Sequence, residues 1–190
     1  MSEEETLAAP FGEAEMSLLV LHDEVPPNAR EINHKAEGDV LIALASRFNV
    51  EEVADLHFQA LLMPLDDECL QANGTVRGRV RQICGVSLEP LWTDIEQNFS
   101  AEFQPQQLVA QYIVPEDDYD TELPESIRNG QADIGEMVTQ VFAMEIPAYP
   151  RADGAEFAGY GQSEAEVEAE DAKQSPFAAL SALKPSDGDA

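Results

Sequence analysis

Three arginines stand at alternate positions in the segment from Thr75 to Cys84: Arg77, Arg79 and Arg81. On an extended strand, alternate side chains share a face, so this spacing sets three guanidiniums side by side. Their planar forks suit phosphates and carboxylates equally well. One reading is contact with RNA or a protein partner. The other is cross-strand pairing with Asp94, Glu96 and Glu102, which the next segment carries on the matching face. Such pairs are worth roughly 0.2–1 kcal/mol each. The abundance and closeness of the acids favour pairing.

The other reactive side chains form no obvious constellation. Cys69 and Cys84 are the only cysteines, with no Cys-x-x-Cys, and His22, His34 and His57 are scattered. Structural zinc takes four ligands at set spacings, so two ordinary thiols and no metal are expected. There is no Gly-x-Ser-x-Gly elbow, P-loop or dinucleotide fingerprint. Asp66-Asp67-Glu68 and Glu116-Asp117-Asp118 offer carboxylates, but neither matches an EF-hand loop, and solvated faces account for both. The expectation is a protein that is not an enzyme, with no cofactor and no small-molecule substrate.

The elements that position these residues follow from periodicity. Leu18 to Leu21 predicts a short strand, broken by Pro26-Pro27-Asn28. Val40, Leu41, Leu44 and Phe48 recur at helical spacing, with Asp39 as candidate N-cap. From Val53 the pattern alternates, with Leu56, Phe58, Ala60 and Leu62 on one side. Asn73-Gly74 predicts a turn. Val76, Gly78 and Val80 then oppose the three arginines. Gly85 to Pro90 suggests a hairpin into a segment where Leu91, Ile95, Phe99, Ala101 and Phe103 alternate with acids. Leu108 to Val114 is a further apolar run. Asp133-Ile-Gly-Glu136 has capping-box spacing, and Ile134, Met137, Val138, Val141 and Phe142 form a helical stripe before Pro147. The fold class expected is α+β: a curved, mostly antiparallel, barrel-like sheet, two packed helices near 39–48 and 133–146, and a mobile acidic C-terminal tail.

Length and charge set the frame. The chain has 190 residues, 44% hydrophobic, enough for one core. Ten Lys and Arg against 38 Asp and Glu give a net charge of −28. That opposes general phosphate-backbone binding and docking on an anionic membrane, and favours attraction to basic partners. Residues 1–15 carry five Glu and no base, which predicts a disordered acidic leader. The domain is expected over 16–150, a flexible acidic linker over 151–174, and a short amphipathic motif and tail over 175–190. In that motif Phe177, Leu180 and Leu183 would form a stripe able to dock on a partner or on the domain itself. The N-terminus has no secretory pattern and no apolar run reaches the ~20 residues of a membrane span, so a cytoplasmic protein is expected.

Three motifs in order resemble the YceD family, the large ribosomal RNA subunit accumulation proteins. Val80 to Pro90, with Cys84, Leu88, Glu89 and Pro90, is similar to its Cys-x-x-Cys-Leu-Glu-Pro region. Asp133 and Glu136, leading through the helix to Pro147, resemble its next motif. Pro176 and Phe177, with Leu180, Leu183 and Lys184, resemble its terminal motif. The resemblance spans roughly residues 16–184. The family's second cysteine corresponds to Ser87, which takes away a ligand from any zinc site implied by cysteine-rich members. In this reading the Cys84 turn is structural, with Leu88 anchoring it and Pro90 stiffening its exit. The resemblance implies a bacterial role in making, processing or stabilising 23S rRNA. An acidic chain would serve it most simply by holding basic ribosomal or rRNA-processing proteins. Direct rRNA contact through Arg77, Arg79 and Arg81 is the alternative.

Overall fold

The computed structural model describes residues 14–65, 68–113, 118 and 121–156. The chain divides after Ala152 into two units, Met1–Ala152 and Asp153–Ala190. Of the second, only the turn around Gly154 is described. The expected terminal motif, with Pro176, Phe177, Leu180 and Leu183, lies outside the described residues, as do most of the acidic leader, the linker beyond Glu156 and the C-terminal tail.

In the first unit the order is β1 (Leu19–Leu21), a 3-10 turn (His22–Glu24), β2 (Arg30–Lys35), α1 (Asp39–Phe48), β3 (Glu52–Pro64), β4 (Leu70–Ile83), β5 (Pro90–Pro105), α2 (Gln106–Val109), β6 (Glu125–Ile127), β7 (Gln131–Asp133) and α3 (Ile134–Met144). Strands β2-β3-β4-β5-β6 form one sheet, antiparallel except for the β5–β6 pair. β1 and β7 form a separate antiparallel pair. The α+β class holds. The barrel-like expectation does not: the sheet is open, with β2 and β6 at its ends.

Period-2 patterning matches β3, β5 and the part of β4 from Thr75 onward. Leu56, Phe58, Ala60 and Leu62 of β3 are buried, as are Val76 and Val80 of β4 and Ile95, Phe99 and Phe103 of β5. Val53 is buried too, three residues before Leu56. Strict alternation forbids this, and a β-bulge between Ala54 and His57 resolves it, with Asp55 at φ 54°. α1 buries Leu44 and packs Val40, Leu41 and Phe48 against the core, as its spacing implied. Its N-cap is Gly38 rather than Asp39, which stands at the first helical position. There its carboxylate sits at the positive end of the helix dipole. α3 packs beside α1, with the Phe48 and Phe142 rings 6.0 Å apart.

The largest correction concerns Asn73-Gly74, which lies inside β4 and is not a turn. The real β3–β4 connection spans residues 65–69, where the Leu65 amide donates to the Cys69 carbonyl and Glu68 takes φ 60°. Gly74 serves a different need. A Cβ there would strike the Gln59 carbonyl and stand 2.6 Å from the Phe99 ring. Strands β2, β6 and β7 carry no apolar alternation long enough to predict them. The apolar run from Leu108 forms the short α2 and a turn, and its end at Val114 lies outside the described residues.

A charged clamp joins the helices. Arg47, in the last turn of α1, donates to both Glu136 oxygens at 2.6 and 2.7 Å and to Glu15 at 2.8 Å. The guanidinium holds the Glu136 carboxyl below the usual carboxylate range. Glu125 is pushed up, first by burial and then by the Glu136 charge. Arg47→Ala would leave Glu15 and Glu136 facing each other without their cation. A loss of about 2 kcal/mol is expected, the clamp being partly screened by water. Urea unfolding of the variant measures it. Arg47→Lys should recover only part, because an ammonium cannot reproduce the two-pronged contact.

Candidate functional site

The three arginines occupy the solvent face of β4, as their spacing required. Arg77 pairs with Glu96 on β5 at 2.7 Å. This contact raises the Arg77 pKa and lowers that of Glu96. The other two turn the opposite way. Arg79 lies directly across from Asp94, yet its guanidinium reaches Asp55 in the β3 bulge at 3.1 Å and lies over the Trp92 ring at 4.8 Å. Arg81 approaches Glu52 at 3.8 Å. Cross-strand pairing therefore holds, but with Asp55 and Glu52 in place of Asp94 and Glu102. The reasons differ: Asp55 belongs to the bulge beside Arg79, whereas Glu52 stands in register with Arg81, and Glu102 faces Gln71 instead of an arginine. Glu102 instead accepts from Gln104 at 2.7 Å.

The Cys84 turn is built around its sulfur. Cys84 is fully buried where β4 ends. Its Sγ accepts from the amides of Val86, Ser87 and Ala152 at 3.4, 3.3 and 3.3 Å. Ser87, at the family's second cysteine position, therefore still bonds the sulfur. The Ser87 hydroxyl and then these amides lower the thiol pKa to about 6. The Cys84 amide donates to Glu89, the Leu88 amide to Cys84, and Pro90 opens β5 opposite Ile83. The segment after α3 lies against this turn, with Gln82 donating to the Pro147 carbonyl and Gly85 to that of Pro150. Pro147 thus sits in the strap that closes over the thiol. Leu88 does not anchor the turn: it is 74% exposed, at φ 59°, on the hairpin tip.

The thiol makes a prediction about pH. A folded-state pKa near 6, below the ~8.5 of an unfolded cysteine, stabilises the fold fully above the unfolded value. The gain is lost as pH falls toward 6. Unfolding free energy should therefore rise between pH 6 and 8.5 more steeply in the wild type than in Cys84→Ser. Denaturant titrations at the two pH values test this, and parallel curves would contradict it.

The Asp133-Ile-Gly-Glu136 motif docks the chain's N-terminal strand segment on α3. Asp133 Oδ1 accepts from the Glu136 amide at 3.1 Å, capping the helix, and from the Leu18 amide at 3.0 Å. Its Oδ2 accepts from the Ser17 hydroxyl at 2.7 Å. Ile134 is buried and its amide donates to the Leu18 carbonyl. Gly135 lets that backbone pass so close that a Cβ would stand 2.5 Å from the Met16 carbonyl oxygen. Glu136 does not reach back to complete a capping box, because its carboxylate is held by Arg47. Sequence spacing identified the cap but not this second partner.

Among the described residues no group of three or more His, Cys, Asp or Glu could hold a metal ion. A polar cleft of about 380 Å³ lies elsewhere, lined by Leu21, His22, Asp23, Pro105, Ile127 and Arg128 among others. No helix among the described residues is long and apolar enough to cross a membrane. The family model described as Large ribosomal RNA subunit accumulation protein YceD matches residues 72–184. The match starts within β4, so it is narrower than the span from residue 16 that the motifs suggested. No curated protein and no solved structure matches the chain.

Proposed function

This chain belongs to the YceD family, and from that premise we propose that it is a non-enzymatic accessory factor for 23S rRNA accumulation, working in the cytoplasm through contacts with basic ribosomal or rRNA-processing proteins. The observation that carries this reading is the state of the arginine strand. Arg77, Arg79 and Arg81 are each engaged by the protein's own carboxylates, Glu96, Asp55 and Glu52. The neighbouring carboxylates offset part of their attraction for phosphate, and the chain as a whole carries −28. An acidic surface attracts cationic proteins and speeds their encounter.

A second reading, direct RNA binding, draws support from one feature. Arg79 stacked on the half-exposed Trp92 gives β4–β5 a cation beside an aromatic ring. Such pairings serve nucleobase stacking in single-strand binders. Charge reversal separates the two. The triple variant Arg77→Glu, Arg79→Glu, Arg81→Glu should keep its affinity for purified basic large-subunit proteins, with binding that weakens as salt rises. Loss of rRNA-fragment binding in the triple variant, at unchanged fold, would establish the second reading instead. No salt-sensitive binding to any basic large-subunit protein would remove the adaptor.

A further inference from the structure

We propose that the outer edge of β5 is the docking site, and that it takes an extended, lysine- or arginine-rich segment of a partner protein as an added β-strand. The inference rests on the adaptor reading and gives it a location. β5 spans Pro90–Pro105, but its outer edge is paired with β6 only at Phe103–Pro105. Among the described residues, no strand pairs with the rest of that edge. A long free edge presents alternating amide donors and carbonyl acceptors, which is a template for another strand.

Charge selects the occupant. The solvent face of β5 carries Asp94, Glu96 and Glu102 along the same strand. Asp94 faces Arg79 in register, yet Arg79 is drawn to Asp55, so among the described residues no cation pairs with Asp94. None pairs with Glu102 either; its hydrogen bond comes from the neutral Gln104. Two carboxylates therefore flank the open edge uncompensated. A cationic strand would meet them at cross-strand distance. On the other face, Thr93, Gln97 and Ala101 are partly covered beside the buried Ile95 and Phe99, so small apolar side chains on an added strand would continue that covered side. The fitting segment alternates cations with small apolar residues. A second copy is disfavoured, since self-pairing would bring two −28 chains and their acidic strands together.

The test uses the full chain and a synthetic peptide alternating lysine with valine. Hydrogen exchange with bound peptide should protect amides within 91–102. A peptide of the same charge, N-methylated on the edge that would pair, should bind about tenfold more weakly or worse, having lost several hydrogen bonds. Asp94→Lys with Glu102→Lys should weaken binding, whereas Glu31→Lys with Glu145→Lys should not. Equal binding of the two peptides, equal loss in both double variants, or β5 amides protected by self-association without peptide would each overturn the proposal. If basic ribosomal proteins bind while 91–102 stays unprotected, the edge is wrong and the adaptor stands. If neither proteins nor peptide bind, both fall.

Discussion

Asp133→Ala is expected to cost about 3 kcal/mol of stability. Two losses combine. The cap on α3 contributes ~1 kcal/mol, and the Leu18 amide, which donates to the same carboxylate, would lose its acceptor at a further ~1–3 kcal/mol. The Ser17 hydroxyl loses its partner as well. Asp133→Asn keeps one oxygen that can accept from both amides, and should recover more than half of the loss. Denaturant midpoints at constant slope measure both variants. A loss in Asp133→Ala below ~1 kcal/mol would mean that water replaces the carboxylate, and that this motif does not hold the N-terminal segment in place.

Gly74→Ala is expected to destabilise by about 3 kcal/mol, at the upper end of what overpacking costs. The added methyl meets backbone at Gln59 and the Phe99 ring at 2.6 Å, and two paired strands cannot move apart to admit it. The test also discriminates between two roles for Asn73-Gly74. In a hairpin turn, Gly74→Ala would act through backbone conformation and Asn73→Ala would also destabilise. Inside β4, Asn73→Ala should be close to neutral, because Asn73 faces outward beside Ser100. Thermal unfolding of the two single variants separates the roles.

What could be read from the sequence depended on how local the signal was. Alternation in 75–84 and 91–103 placed the arginines on one face and Val76, Val80, Ile95 and Phe99 on the other, because a half-buried strand imposes that pattern on each residue. The α3 cap was legible because Asp133 and Glu136 are three apart in one turn. Contacts made across the fold were not. The bulge at Asp55 redirects Arg79, and no spacing within β4 encodes it. Asn73-Gly74 has the composition of a turn, yet the glycine answers a close approach by β3 and β5 that only the assembled sheet reveals. Leu88 matches its motif but points to solvent, since the turn is held by the Cys84 sulfur and not by an apolar anchor. Arg47 gave no motif at all, and its role depends on two carboxylates distant in the chain.

The central claim is that the protein reaches rRNA metabolism through protein contacts. The most direct measurement is affinity capture of the full chain from bacterial lysate, with and without RNase, at low and high salt. The account predicts that large-subunit or rRNA-processing proteins survive RNase and leave with salt. Their loss on RNase treatment at low salt would contradict it, showing RNA to be the bridge and making Arg77, Arg79 and Arg81 the contact.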